Sequence, residues 1–306
     1  MTAAEAIGRL EAICAEDPGG RHIAALAAAT RGSLGAAAAS IADHPDPSLA
    51  LLSGCFIPRG TPPSAETDGP VGMALLAAGL SGDGIAVRAV TDDACAPVLT
   101  AALEAVGGAA AVPLDVVPVA VPAQIAGLAA RLRGAGPPVT HMVAIERLGP
   151  ARDGGVYNMR GESVADRTAP LHELYLDGPW TRIAVGDGGN EIGMGSLPEA
   201  TIAGHIPSGG RIACTVPADH LIVAGVSNWG AIALLCAVAA LRPSLRRRLS
   251  GIDLVAVHDA VLEAVVLRGP AVDGVSRSRV RAVDGLPPPV HTGVVRQMLD
   301  ALAAVV

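Results

Sequence analysis

The sequence predicts an α/β fold of three layers, in which a mostly parallel or mixed β-sheet is flanked by helices. Two observations carry that expectation. Short β-type runs alternate with helical or Ala-rich stretches along the chain. The 306 residues are 51% hydrophobic and only 17% charged, which is enough apolar content to bury a large core.

Strands are expected over residues 51–57, 85–90, 116–121, 142–145, 183–185 and 221–226. Pro70, followed by Val71, Met73, Ala74, Leu75 and Leu76, reads as a helix opened by proline at its first position, with Thr67 and Asp68 just before it. Gly79, Gly82 and Gly84 punctuate its exit. Asn228-Trp229-Gly230 opens a second long helix through Leu241, and Pro243 with Arg246 to Arg248 marks its end. Residues 149–180 are poor in apolar positions and too long for an ordinary connection, so they read as a loop-rich excursion over the site within one domain spanning 1–306.

Composition excludes several function classes. The formal net charge is -7 and all 22 basic residues are Arg, with no run longer than Arg246-Arg247-Arg248, so nucleic acid is a poor partner. A chain without Lys has no pyridoxal phosphate Schiff base, no amine nucleophile and no P-loop clamp. Cys14, Cys55, Cys95, Cys214 and Cys236 are odd in number and widely spaced, which fits buried thiols in a reducing compartment. Residues 1–21 lack a leader pattern, and Ala231 to Leu241 is too short to span a membrane. A cytoplasmic protein with no membrane partner is expected, with a homo-oligomer left open.

The densest chemistry is Gly186-Asp187-Gly188-Gly189-Asn190-Glu191-Ile192-Gly193-Met194-Gly195, a turn leaving the apolar run Ile183-Ala184-Val185. Ligands of open α/β sheets bind at such strand ends. The glycine spacing misses the dinucleotide fingerprint at Glu191, so no nucleotide is expected. What remains is either an oxygen-donor array of Asp187, Asn190 and Glu191, suited to Mg2+ or Mn2+, or an Asx-turn with solvated acids. Asp68, ahead of the first helix, reads as a cap or a ligand. Glu146, at the exit of the 142–145 strand, either faces the cleft or pairs with Arg147 or Arg152. Asn158 and Arg160 offer an amide and a guanidinium suited to a carboxylate or phosphate. Ser227 and Asn228 either cap the following helix or bind substrate. Asp273-Gly274 and Asp284-Gly285 form two turns or a further ligand-facing loop.

Taken in order, Thr67-Asp68-Gly69-Pro70, Ile145-Glu146-Arg147, Tyr157-Asn158-Met159-Arg160-Gly161, the Gly186–Gly195 turn and Val226-Ser227-Asn228-Trp229-Gly230 resemble the D-glutamate cyclase family. That family occurs in animals as the C-terminal domain of a larger mitochondrial protein and in microbes as stand-alone chains. The likeness covers nearly the whole chain. It departs at Ser53-Gly54-Cys55-Phe56, where Thr-Gly-Phe is usual, and at Arg147-Leu148-Gly149, where Arg-Pro-Gly is usual. The resemblance implies a lyase that converts D-glutamate into 5-oxo-D-proline and water. On that reading Asp68, Asp187 and Glu191 hold a divalent metal with Asn190 nearby, and Glu146 is the base or a further ligand. Arg160 holds the α-carboxylate, and Asn158, Ser227, Asn228 and Asp273 complete the pocket. The rival readings are a Mn2+- or Mg2+-dependent phosphatase or hydrolase, and a non-catalytic binder of a small acidic metabolite.

Overall fold

The computed structural model describes residues 1–107, 112–121, 123–134 and 138–306. Six strands form one sheet: β1 (Ser48–Ser53), β4 (Ala86–Asp92), β5 (Leu114–Val117), β6 (His141–Ile145), β7 (Thr181–Gly186) and β8 (His220–Val223). Every pairing in it is parallel, in the order β5-β4-β1-β6-β7-β8. Two short strands, β2 (Phe56–Ile57) and β3 (Ser64–Ala65), make a separate antiparallel hairpin.

The expected strand over 51–57 therefore divides at Gly54. Its apolar run is continuous, but Gly54 has a φ of 115° and turns the chain out of the sheet into the hairpin. Similarly, the expected strand over 116–121 is found at Leu114–Val117, and the one over 221–226 ends at Val223. In both cases hydrogen-bond pairing with the neighbouring strand, rather than apolar character, sets the limits.

Alternate residues of the sheet enter two different cores, which explains why its strands are apolar without interruption. Leu49, Leu51, Val143, Ile145, Ile183 and Val185 face one core. Ala50, Leu52, Met142, Ala144 and Ala184 face the other. The first core is covered by α1 (Ala3–Cys14), α3 (Ser33–Ala42), α4 (Pro70–Gly82), α5 (Ala96–Ala105), α10 (Ser227–Leu241), α11 (Pro243–Ser250), α12 (Leu254–Leu267) and α13 (Pro288–Ala303). The second is covered by α2 (Ala24–Ala29), α6 (Ala123–Gly134), α7 (Leu171–Leu176), α8 (Glu199–His205) and α9 (Gly209–Ile212). This is a three-layer α/β architecture.

Pro243 was expected to close a helix and also opens one. α10 does stop at Leu241, but Pro243 starts α11, in which Arg246 to Arg248 lie. Residues Ser227–Ala240 of α10 are all buried, as suits a helix that is apolar on every face and lies inside the helical layer. No helix of the described residues is long and apolar enough to cross a membrane. All five cysteines are buried and free.

The strand order reverses direction between β1 and β6. From β1 the chain moves outward to β4 and β5, and from β6 it moves outward the other way to β7 and β8. Parallel register places Ser53, Ile145 and Val185 side by side at the sheet's C-terminal rim. Gly54, Glu146 and Gly186 thus leave the sheet at one level, at the switch point where open α/β sheets take their ligands.

Candidate active site

Two helix N-termini meet above this rim and cap each other. The N-cap of α4 is Gly69 rather than Asp68. Asp68 instead accepts from the first amides of α10, through Oδ2 from Ser227 N at 2.9 Å and through Oδ1 from Asn228 N at 2.8 Å. Asn228 returns the arrangement: its Oδ1 accepts from Gly69 N at 3.0 Å and Gly72 N at 2.7 Å, and its Nδ2 donates to Thr67 O at 3.1 Å. Gly69 N also donates to Asp68 Oδ1 at 3.0 Å, so amides from the starts of both helices converge on one buried carboxylate. Only glycine allows so close a crossing, since a Cβ at Gly69 (φ 90°) would lie 2.7 Å from Ser53 Oγ and one at Gly72 would lie 2.6 Å from Asn228 Cα.

Glu146 follows β6 in a left-handed conformation, φ 46°, which is uncommon for a residue with a side chain. Its Oε2 accepts from Ser227 Oγ at 2.6 Å. Neither expected arginine pairs with it: Arg147 binds Asp92 at 2.7 Å, and Arg152 binds Glu199. Arg147 is itself buried and donates to Gly54 O and Ala169 O, so it ties the rim to the 149–180 segment instead of neutralising the cleft.

The Gly186–Gly195 turn contains buried acids rather than solvated ones, with Asp187 1% and Glu191 0% exposed. Glu191 folds the turn, its Oε1 accepting from Asp187 N at 2.9 Å and Gly188 N at 2.6 Å. Asn190 donates from Nδ2 to Tyr157 O at 2.8 Å, and its Oδ1 has no hydrogen-bond partner among the described residues. Asp187 accepts no hydrogen bond from the described residues; its Oδ1 is 3.1 Å from Arg21 Nη1 in an ion pair.

Sequence reasoning missed Arg21 and Glu66, and it named Asp284 only within a turn or ligand-facing loop and Cys55 only as a buried thiol at a departure from the family pattern. Arg21 reaches in from the loop after α1 and bridges Asp187 and Asp284. Glu66, Glu146, Asn158, Arg160, Asn190, Arg21, Cys55 and Asp284 all line one cavity of about 290 Å³. Asn158 is held by Glu162 at its Nδ2 and accepts the Arg160 and Glu162 amides at Oδ1. Arg160 donates from Nη1 and Nη2 to Gly274 O and Val275 O, which fixes its guanidinium at the rim.

Asp273 is placed elsewhere. It is fully buried, and both carboxylate oxygens are spent on Gly285 N and Ser276 N, so it staples the two Asp-Gly turns together. Of these two aspartates, Asp284 is the one that lines the cavity. Position in an echoed Asp-Gly motif gave no means of telling them apart.

The electrostatics follow from crowding. Glu66, Asp68, Glu146, Asp187, Glu191 and Asp284 are each no more than 7% exposed, and Arg21 is the guanidinium paired among them. Burial, then Asp284, pushes Asp68 up to about 7 and Glu66 up to about 8. Burial also raises Glu146 well above the carboxylate range, helped by Glu191 and Asp68. Burial raises Asp187 too, against the pull of Arg21. Such a cluster is stable when it holds protons or a cation.

The donor set fits a divalent cation. One carboxylate oxygen each from Asp68, Glu146 and Asp187 lie within 4.8 Å of one another, all buried, and the Asp187 oxygens accept no hydrogen bond from the described residues. Hard oxygen donors of this kind suit Mg2+ or Mn2+. Glu191, expected among the ligands, is not in this trio.

Among characterised proteins, D-glutamate cyclase, mitochondrial, of Homo sapiens is 46% identical over 106 residues. The matched segment is 33% of this chain and 17% of that protein, so the chain spans under a fifth of its relative's length. The family described as D-glutamate cyclase-like, C-terminal, matches residues 10–299, and with almost the whole chain so covered the protein belongs to that family.

Proposed function

We propose that the protein is a D-glutamate cyclase, forming 5-oxo-D-proline and water. The observation that carries this reading is the polarity of the cavity: buried carboxyl groups on its floor and Arg160 on its rim match an ammonium and a carboxylate of one small amino acid. In the reaction the α-nitrogen forms a bond to the γ-carboxyl carbon while one γ-oxygen leaves. The ammonium of the zwitterion supplies both protons that turn the departing oxygen into water. No other reactant is needed.

Asp68, Glu146 and Asp187 would hold Mg2+ or Mn2+, which when bound supplies Lewis-acid polarisation of the γ-carboxylate. Arg160 keeps three guanidinium N–H groups free of its two carbonyl bonds and receives the α-carboxylate. Glu66 faces the same cavity and lies outside the cation trio, so it takes the ammonium proton and returns it to the departing oxygen. Ser227 holds Glu146 toward the cavity, and Asn158 orders the loop that carries Arg160. A substrate bound curled for ring closure gains further from orientation.

The test is incubation of the purified protein with D-glutamate and Mn2+, with 5-oxo-D-proline measured by chiral chromatography. Glu66→Gln is expected to lower kcat by about a hundredfold or more with Mn2+ binding kept, whereas Glu146→Gln loses Mn2+ affinity. Phosphate release from phosphoesters in place of ring closure, or tight D-glutamate binding without turnover, overturns the reading.

A further inference from the structure

Beside the oxygen trio is a second set of donors that ring closure uses only in part. Cys55 Sγ and one carboxylate oxygen each of Glu66 and Glu146 lie within 4.8 Å of one another. All three residues line the cavity and are at most 7% exposed. The β2–β3 hairpin brings two of them together: Phe56 pairs with Ala65, and Glu66 N donates to Cys55 O at 2.9 Å, so positions 55 and 66 flank the open end of the hairpin. Gly274 leaves the Glu66 carboxylate its space, because a Cβ there would overlap Glu66 Oε2. Independently of these three, Asp284 lines the same cavity, is 7% exposed, and has an Oδ2 with no hydrogen-bond partner among the described residues.

The geometry points to a second cation site, built by Cys55, Glu66 and Glu146 with Asp284 at hand, that takes thiophilic divalent ions such as Zn2+ or Cd2+. Donor chemistry separates it from its neighbour. A set containing one sulfur favours Zn2+ or softer ions strongly over Mg2+, whereas the all-oxygen trio is of the kind that suits Mg2+ or Mn2+. Glu146 belongs to both groups and is the carboxylate that would be shared between them. On coordination the Cys55 sulfur forms a bond to the metal and its proton passes to solvent, with no change of oxidation state. An ion held there also ties up Glu66. Resting on the proposed role of Glu66, the functional consequence is inhibition of ring closure by Zn2+ that depends on the Cys55 thiol.

Cobalt titration of the purified protein tests the site without turnover. The expected result is a thiolate-to-cobalt charge-transfer absorption in the near ultraviolet that is lost in Cys55→Ser and kept in Asp187→Asn. A cadmium NMR resonance of the unaltered protein, shifted as sulfur ligation requires, gives the same answer should the serine variant not fold. Binding of Co2+ or Cd2+ with no sulfur signature, or a signature unchanged by Cys55→Ser, overturns the proposal. In the cyclase assay Cys55→Ser is expected to need roughly tenfold more Zn2+ for half inhibition, equivalent to about 1.4 kcal/mol. If D-glutamate is not turned over, the cobalt and cadmium spectra still decide the site by themselves, so its failure and that of the cyclase reading are distinguishable.

Discussion

Arg21 places a guanidinium among carboxyl groups from four distant parts of the chain. Burial alone would lower its pKa, and Asp187, Asp284, Glu146 and Asp68 outweigh that, so it stays charged. Its Nη1 sits on Asp187, one of the three acids that would hold a divalent ion, so guanidinium and metal compete for one carboxylate. Arg21→Met is therefore expected to tighten Mn2+ binding by roughly tenfold, about 1.4 kcal/mol, measured by calorimetry or by the spin-resonance signal of free Mn2+. Unchanged or weaker binding would show that Arg21 supports the cation instead of replacing it. Nothing local in the sequence marks Arg21, because it follows an acidic helix and a Pro-Gly-Gly turn far from its partners. Glu66 was equally hidden, one residue before the Thr-Asp-Gly-Pro motif. Glu146 and Asp187 were legible because each stands at the end of an apolar run, where strand geometry delivers a side chain to the rim, and Asp68 because it stands just ahead of a helix opened by proline.

The reciprocal capping of α4 and α10 shows what a single element cannot reveal. Thr67-Asp68-Gly69-Pro70 and Val226-Ser227-Asn228 were each readable as a helix start, with the cap assigned to the helix that follows in sequence. In the fold, Asp68 caps the second helix and Asn228 caps the first. Local pattern identifies that an amide needs a partner but not which chain segment supplies it. Asn228→Ala should leave the Gly72 amide and the Thr67 carbonyl without their side-chain partner in a buried site, with Gly69 N keeping its bond to Asp68 Oδ1, at a cost of about 1–3 kcal/mol in denaturant unfolding. Because Asp68 keeps its own bonds to the Ser227 and Asn228 amides, the loss should fall on the α4 end, and a wild-type midpoint would refute the linkage. The same limit explains the strand divided at Gly54 and the helix begun at Pro243. Apolar continuity and a proline are consistent with either outcome, and pairing decides between them.

At the scale of the whole molecule, buried histidines make stability depend on pH away from the cavity. Trp229 Nε1 donates to His291 Nδ1 at 3.1 Å, and His291 Nε2 faces Leu286 O at 3.1 Å, so that ring is neutral with its proton on Nε2. His258 stacks on it with ring centroids 6.0 Å apart, and neither of its nitrogens has a hydrogen-bond partner among the described residues. Burial, then His291, pulls His258 down to about 4 from an ordinary value of 6.5. The unfolded chain therefore binds a proton that the folded chain refuses between those two values. The contribution of His258 to stability is full above pH 6.5 and is lost as the pH falls toward 4, by about 3 kcal/mol. His258→Leu should flatten that acid limb of a pH–stability curve, and an unchanged slope would remove His258 as its cause.

Alternating apolar runs, the absence of Lys and the glycine-bounded acids determined from sequence alone an α/β sheet, several excluded chemistries, the family resemblance and the strand ends on which a site would lie. These are properties of short segments, set by periodicity and composition. Tertiary structure alone decided that Glu66, Asp68, Glu146, Asp187 and Asp284 meet around Arg21, that Asp284 rather than Asp273 faces the cavity, and that Cys55 stands beside Glu66. The physical reason is that charge and coordination depend on distances across the fold. Residues remote in sequence acquire a shared chemistry only when the parallel register brings their loops to one rim.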